Sequence, residues 1–162
     1  SYNLPNVLAS VAVGTFFGVT EENIKMALEN YIPSNSRSQL VEKGTNKIIL
    51  DAYNANPSSM KAAIENFART ESKNKILVLG AMAELGEESL DEHKAIVGEI
   101  SRHTWQQVLL VGGDFLKTDH PYHSFSTPES AGEWLRESGI ADAYLLIKGS
   151  RSMQMEKVLN YI

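Results

Sequence analysis

Three continuous apolar runs constrain the fold of this chain more than any other feature. They are residues 75–79, 108–111 and 144–147, and residues 47–50 form a further short run that begins, like the first, with a lysine. None of them alternates apolar and polar residues, so they indicate strands that other elements cover on both faces. Parallel strands need long crossover connections, which helices usually supply.

Amphipathic segments with helical spacing lie between these runs. Their apolar stripes are Met60, Ala63, Ile64 and Phe67; Leu90, His93, Val97 and Ile100; Trp134 and Leu135; and Met155, Val158, Leu159 and Ile162. The alternation predicts an α/β fold, an open and mostly parallel sheet with helices on both faces. Gly44-Thr45-Asn46 between two apolar stretches predicts an antiparallel edge hairpin.

Two further helices are predicted before the sheet. Residues 5–17 carry apolar side chains at helical spacing, and Thr20 with two following glutamates is typical of a helix start. The polar stretch 33–38 then indicates a boundary. Residues 1–18 lack a basic region, so we expect neither a signal peptide nor a membrane span. Because the first residue is not Met, we expect the chain to be part of a longer one.

The composition limits the classes of binding partner that this chain is expected to have. The net charge is −5 and the basic residues form no cluster, which argues against nucleic acid and anionic membranes and favours small-molecule ligands. Absence of cysteine excludes disulfides and thiol chemistry, and is compatible with a reducing compartment.

Polar loops follow three of the predicted strands. They cover residues 51–57, 80–86 and 148–151, and in a parallel sheet they would emerge at one edge and line one crevice. A carboxylate such as Asp51 at a strand end can accept hydrogen bonds from ribose hydroxyls. Lys148 and Arg151, which bracket a glycine at an expected helix start, would suit a carboxylate or phosphate.

Plainer interpretations stay open for each of these loops. Residues 51–57 could be turn and cap chemistry, Gly80 and Gly86 could simply allow tight turns, and 148–151 could be a solvated helix cap. His93 is interpreted as a satisfied, half-buried histidine. The sequence contains no phosphate loop, dinucleotide fingerprint, nucleophile elbow or His/Cys metal pattern. From the residues alone, the chain is an α/β binding module with no catalytic residue or metal ligand assigned.

Several motifs, in order along the chain, closely resemble the Mur ligase family. They are residues 3–6, Arg37, residues 51–60 (DAYNANPSSM), residues 79–86 with His93, and residues 148–152 (KGSRS) with Met155 and Glu156. The resemblance implies a Rossmann-like C-terminal domain over 38–162, a linker at 33–37, and the last helices of a central ATPase domain at 1–32. The N-terminal domain, the phosphate loop and the Mg²⁺ ligands would lie upstream, so this chain alone would not be active.

The resemblance also implies a reaction. Its motifs are those of cytoplasmic members that use ATP and Mg²⁺ to add D-alanyl-D-alanine to UDP-N-acetylmuramoyl-tripeptide, through an acyl phosphate, in peptidoglycan synthesis. Two alternatives are a member that adds the third amino acid, lysine or diaminopimelate, and a freestanding nucleotide-binding module. Against the first stand residues 53–57 and, after the strand 108–111, Gly112-Gly113-Asp114-Phe115 in place of Asp-Asn-Pro-Arg.

Site residues follow from the same resemblance. The implied nucleotide contacts are Asn3 and Asn6 at the adenine, Arg37, Asp51 at the ribose, Tyr53 and Asn54. The implied contacts of the incoming substrate are Asn56, Glu84, Lys148, Gly149, Ser150 and Arg151. Two positions depart from the family pattern: Tyr2 replaces a common His, and Ser36 replaces a common Gly. The serine removes a flexible hinge residue, which puts the conformational freedom of the linker in doubt.

Overall fold

The structure, a computed structural model, describes residues 4–31 and 36–162. Contacts divide the chain into two compact units, with the division between residues 33 and 34. Within the described ranges, no helix combines the length and the apolarity that crossing a bilayer requires.

The first unit consists of the two helices expected from the sequence. Helix α1 spans Leu4–Phe16 and helix α2 spans Glu21–Glu29. The side chain of Thr20 caps α2 by accepting a hydrogen bond from the Asn23 N–H at 3.4 Å. Among the described residues, none in either helix is buried, and Phe16 is 83% exposed.

The second unit is built on a six-stranded sheet with the order β1-β2-β6-β3-β4-β5. The strands are β1 Gln39–Lys43, β2 Asn46–Asp51, β3 Lys75–Gly80, β4 Gln107–Val111, β5 His123–Phe125 and β6 Tyr144–Lys148. Strands β1 and β2 form an antiparallel pair, and every other neighbouring pair is parallel. The predicted parallel sheet and its edge hairpin are therefore confirmed. Strand β5 was not predicted, because three residues are too few to show a periodicity.

Helices cover both faces of this sheet, as predicted. Helices α3 (Pro57–Ala68) and α4 (Ser89–Ile100) pack on one face, where Leu77 and Leu79 of β3 are buried. Helix α5 (Pro128–Glu137) and the C-terminal segment pack on the other face, against Ile76 and Val78. Alternate residues of β3 thus face opposite cores, which is why its sequence is apolar throughout.

The C-terminal segment differs from the α-helix that its apolar stripe predicts. It forms two 3₁₀ helices, Arg151–Met153 and Met155–Asn160. Between them Gln154 has a left-handed backbone (φ 51°, ψ 45°), which interrupts any continuous helix. Met155 and Val158 are nevertheless buried, so the apolar stripe still packs in the core.

Gly80, the last residue of β3, provides a test of this packing. A Cβ there would lie 2.5 Å from Met155 Sδ and 3.3 Å from Met153 Cβ, and Met155 is fully buried. We expect Gly80→Ala to lower the free energy of unfolding by about 1–3 kcal/mol through overpacking. Urea denaturation monitored by circular dichroism would measure the change.

Gly98→Ala in α4 is the matched control, because a Cβ at Gly98 meets no described atom within 4 Å. It should stabilise the protein by about 0.5–1 kcal/mol through helix propensity. Equal effects of the two substitutions would contradict the close packing at Gly80.

Candidate functional site

The three polar loops leave the sheet side by side. Strand β6 lies between β2 and β3, and the carboxyl ends of all three strands point the same way. The loops 51–57, 148–151 and 80–86 therefore start from adjacent strands, which is the usual location of ligand sites in open α/β sheets.

Lys148, the last residue of the central strand β6, is at the middle of this edge. In the register of the sheet it lies between Asp51 of β2 and Leu79 of β3. Its side chain is only 2% exposed, and Nζ donates to Asp51 Oδ2 at 2.6 Å and to the Asn54 carbonyl oxygen at 3.1 Å. The lysine thus holds both the end of β2 and the loop that follows it.

Asp51 uses its other oxygen to hold the segment before β1. Oδ1 accepts hydrogen bonds from the Ser38 N–H at 3.0 Å and from Ser38 Oγ at 3.5 Å. Nearby, the Tyr53 N–H donates to the Ser36 carbonyl oxygen at 3.2 Å. Residues 36–38 are therefore fixed at both ends to the loop after β2.

Ser36 and Ser38 both have positive φ, at 57° and 48°. Glycine adopts such angles without strain, whereas serine does so at a cost. This conformation gives a physical reason for the glycine that many family members have at the position of Ser36.

Arg37 lies between these two serines, above an exposed aromatic ring. Its guanidinium carbon is 3.8 Å from the centroid of the Tyr53 ring, and Tyr53 is 44% exposed. The pair is a cation–π contact at the surface, which offers a ligand one planar face and one positive charge.

The two asparagines of the loop make the turn and cap interactions of the plainer interpretation. Asn54 Oδ1 accepts from the Ala55 N–H at 2.8 Å. Asn56 caps α3, accepting from the Ser59 N–H at 2.8 Å while Ser59 Oγ accepts from the Asn56 N–H at 3.1 Å. A ligand contact by either side chain stays a prediction.

The loop 80–86 is held by His93. Its Nε2 accepts from the Met82 N–H at 3.1 Å, so Nδ1 carries the proton and donates to the Ser89 carbonyl oxygen at 2.6 Å. His93 is fully buried, edge-on to Phe115. It is therefore satisfied, as predicted, but fully rather than half buried. Glu84 of the same loop is exposed, with φ 62°.

The turn 148–151 packs tightly against the end of β3. A Cβ at Gly149 would lie 2.7 Å from Met155 Cγ and 3.1 Å from Gly80 Cα. The buried Ser150 donates its N–H to the Ala81 carbonyl oxygen at 3.1 Å, so pairing between the two strands continues into the loops.

The two cations of this turn have separate partners. Lys148 faces the Asp51 carboxylate, whereas the side chain of Arg151 is 60% exposed and donates to Glu156 Oε1 at 2.8 Å. The following 3₁₀ helix has three residues, too few to supply the helix dipole that the sequence suggested. Of the two, Arg151 is the cation that a ligand in solution can reach.

The remaining predicted contacts lie elsewhere in the chain. Asn3 is outside the described residues, and Asn6 is an exposed residue of α1, in the other unit. Sequence reasoning missed Ser38 and the Arg151–Glu156 pair. In the sequence, nothing distinguishes Ser38 from the other polar residues around the linker, and only the family motif points to Glu156.

The loop after β4 carries a carboxyl whose pKa is changed by its neighbours. Lys117 donates to Asp114 at 2.7 Å, and this hydrogen bond, with a second from Ser89, holds the pKa of the Asp114 carboxyl below its usual range. Across residues 4–31 and 36–162, no group of three or more His, Asp or Glu side chains is arranged to hold a metal ion.

An open, mostly parallel sheet with polar side chains gathered at the carboxyl ends of three adjacent strands is typical of α/β domains that bind ligands at this edge. Its sequence makes the class more specific, since residues 36–151 match the family model described as "Mur ligase, glutamate ligase domain". The chain belongs to the Mur ligase family.

Two relatives that are similar in sequence to this chain have the same name. A UDP-N-acetylmuramoyl-tripeptide–D-alanyl-D-alanine ligase of Bacillus subtilis is 31% identical over 98% of this chain and 37% of its own length. The protein of that name from Escherichia coli is 34% identical over 98% of this chain and 36% of its own length. The chain thus spans little more than a third of the relatives that it matches.

Solved structures confirm the fold. MurF from Acinetobacter baumannii superimposes with a TM-score of 0.85 at 27% identity, covering 99% of this chain and 37% of that one. MurF ligase from Thermotoga maritima, solved in complex with ADP, has a TM-score of 0.80 at 26% identity, covering 96% and 36%.

The buried Lys148–Asp51 pair gives a testable prediction of stability. Asp51→Asn keeps the shape of the side chain but leaves the buried ammonium without its counter-charge, so we expect a loss of about 3 kcal/mol in the free energy of unfolding. Adding Lys148→Met should recover part of that loss, because it removes the unpaired charge. Chemical denaturation of the two single variants and the double variant would measure the coupling.

Glu65→Gln is the control, because it breaks an exposed ion pair with Lys61 at 3.9 Å on α3. We expect a change within about 0.5 kcal/mol. Strictly additive effects of Asp51→Asn and Lys148→Met would show that the two residues do not stabilise each other.

Proposed function

We propose that this chain is the C-terminal, substrate-positioning part of an ATP-dependent ligase that adds D-alanyl-D-alanine to UDP-N-acetylmuramoyl-tripeptide. One observation carries the proposal: relatives named for this activity match 98% of the chain at 31% and 34% identity, including its strand-end loops. The product would be the pentapeptide precursor of peptidoglycan.

The chemistry of such a ligase activates one of its two partners. ATP transfers its terminal phosphoryl group to the carboxylate of the tripeptide and leaves as ADP; the free amine of the dipeptide then attacks the acyl phosphate through a tetrahedral intermediate, which loses phosphate and a proton to give the amide. Catalysis of this kind depends on positioning and charge stabilisation. We assign the phosphate loop and the Mg²⁺ ligands to the parent chain upstream, so no catalytic residue is assigned here.

The nucleotide would bind at the end of β2. The guanidinium of Arg37 lies on the exposed ring of Tyr53 there, and the Asp51 carboxylate holds Ser38, the residue after Arg37. Each carboxylate oxygen has two lone pairs; Ser38 uses both of those on Oδ1 and Lys148 one on Oδ2, so Asp51 can still accept from one ribose hydroxyl. Asn54 belongs to the same loop, and we assign Asn3 and Asn6 to the adenine.

The incoming dipeptide would bind beside the loops 80–86 and 148–151. Arg151 is exposed, and its guanidinium can pair with the free carboxylate of the dipeptide. We keep Asn56, Glu84, Gly149 and Ser150 as residues that shape this site. The resemblance implies that Lys148 contacts the dipeptide, but its burial favours an indirect role.

The domain organisation is also a proposal. Residues 1–32 would be the last helices of the central ATPase domain, 33–37 the linker and 38–162 the third domain. The exposed apolar side chains of α1 support this, since they need a partner that a larger domain would supply. Rotation about the linker would close the third domain over ATP. We place the enzyme in the cytoplasm, where ATP is available, without nucleic-acid partners or membrane insertion.

Two other functions are alternatives to this proposal. A ligase that adds lysine or diaminopimelate is disfavoured because residues 112–115 replace the Asp-Asn-Pro-Arg loop of those members. A freestanding nucleotide-binding module would bind ATP by itself, which distinguishes it from a fragment of a ligase.

Titration calorimetry of residues 1–162 with ATP separates a fragment of a ligase from a freestanding nucleotide-binding module. We expect weak or undetectable binding, because the phosphate-binding residues would lie outside the chain. A dissociation constant in the micromolar range would favour the freestanding module and contradict the proposal.

Steady-state kinetics of the parent ligase test the division of the site. Asp51→Ala should raise the KM for ATP about tenfold or more, with a smaller effect on D-alanyl-D-alanine, because it removes a charged hydrogen-bond acceptor. Arg151→Ala should show the opposite order. Lys94→Met, in an exposed pair with Asp91 on α4, is the control and should change neither KM by more than about twofold. The reverse order for both variants would reject this division.

A further inference from the structure

We propose that Lys148 acts as a positioning residue for the nucleotide side of the site, through Asp51, instead of binding the carboxylate of the dipeptide. The inference rests on the proposed function for its kinetic part. Its structural part concerns only the contacts of this chain.

Burial argues against a direct contact with substrate. The side chain of Lys148 is 2% exposed, and its Nζ already donates to Asp51 Oδ2 at 2.6 Å and to the Asn54 carbonyl oxygen at 3.1 Å. An ammonium group has three donors, so at most one is left. A dipeptide carboxylate would have to enter a closed space or break an ion pair that is hard to replace.

The position of Lys148 explains what its charge does. It lies at the end of β6, opposite Asp51 in the register, so a rigid strand fixes its backbone. From there the ammonium orients one oxygen of Asp51 and holds the carbonyl of Asn54 in the next loop. Asp51 and Asn54, two of the proposed nucleotide residues, therefore depend on one cation.

The same network reaches Arg37. Asp51 Oδ1 accepts from the Ser38 N–H at 3.0 Å, and the Tyr53 N–H donates to the Ser36 carbonyl oxygen. These bonds hold the residues on either side of Arg37, whose guanidinium lies on the Tyr53 ring. If Lys148 is removed, Asp51 loses its fixed orientation, and the strained backbone at Ser36 and Ser38 loses a restraint.

Lys148→Met in the parent ligase tests the kinetic part. Methionine has a similar length and no charge. It therefore fills the same space but cannot make either of the two hydrogen bonds of Lys148 Nζ. We expect the KM for ATP to rise about tenfold, and the KM for D-alanyl-D-alanine to change by less than about twofold. The double variant Asp51→Ala/Lys148→Met should resemble Asp51→Ala alone, because the lysine acts through the aspartate.

Lys47→Met is the matched control. Lys47 is an exposed lysine at the opposite end of β2, so the same substitution there should leave both KM values unchanged. All assays would be made well below the melting temperature of each variant, measured in the same buffer. If Lys148→Met does not fold, Lys148→Arg is used instead, because it keeps the charge. We then expect a smaller rise in the KM for ATP, which still exceeds any change in the KM for D-alanyl-D-alanine.

Hydrogen exchange supplies a measurement that does not need activity. The Ser38 amide should exchange faster in Lys148→Met than in the unmodified protein, and should be unchanged in Lys47→Met. Unchanged exchange at Ser38 would overturn the proposed network, whether or not the parent is a ligase.

The outcomes separate the two proposals. A rise in the KM for the dipeptide with an unchanged KM for ATP would show that Lys148 contacts the dipeptide and would overturn the inference. Effects of Asp51→Ala and Lys148→Met that multiply in the double variant would do the same. An unmodified parent with no ligase activity would refute the proposed function, while the exchange experiment would still decide the structural part.

Discussion

The organisation of the carboxyl edge depends on one buried ion pair. Lys148 is taken out of water at the end of the central strand, which is favourable only if good partners compensate for its lost hydration. Asp51 and the Asn54 carbonyl are those partners, and they require β2 and its loop to lie beside β6 in this register. Satisfying the charge therefore fixes the relative positions of two strands and the segment bound to Asp51.

Much of the fold could be predicted because apolar patterning determines it. The runs 75–79, 108–111 and 144–147 became adjacent or near-adjacent buried strands, and the stripe of Met60 and Phe67 became the buried face of α3. Strand β5 and the 3₁₀ form of the C-terminal segment were not predictable in this way. The first is too short for a pattern, and the second is divided by a left-handed backbone at Gln154, a residue type without a strong preference for it.

The candidate site was predictable in its location but not in its connections. The spacing of strands and polar loops was enough to bring Asp51, Glu84 and Arg151 to one edge of the sheet. It could not show that Lys148 points at Asp51 and Arg151 at Glu156, since both are cations in one short turn. That choice depends on burial, which the sequence of a four-residue turn does not reveal.

The edge hairpin has a mechanical consequence. Strand β1 begins directly after residues 36–38 and pairs with β2 through five residue pairs, from Gln39 with Leu50 to Lys43 with Asn46. A force applied along β1 from its N-terminal end would act on all these pairs in shear, and none would be peeled apart singly. The hairpin would therefore share a pull from the preceding segment among these five pairs on its way to the sheet.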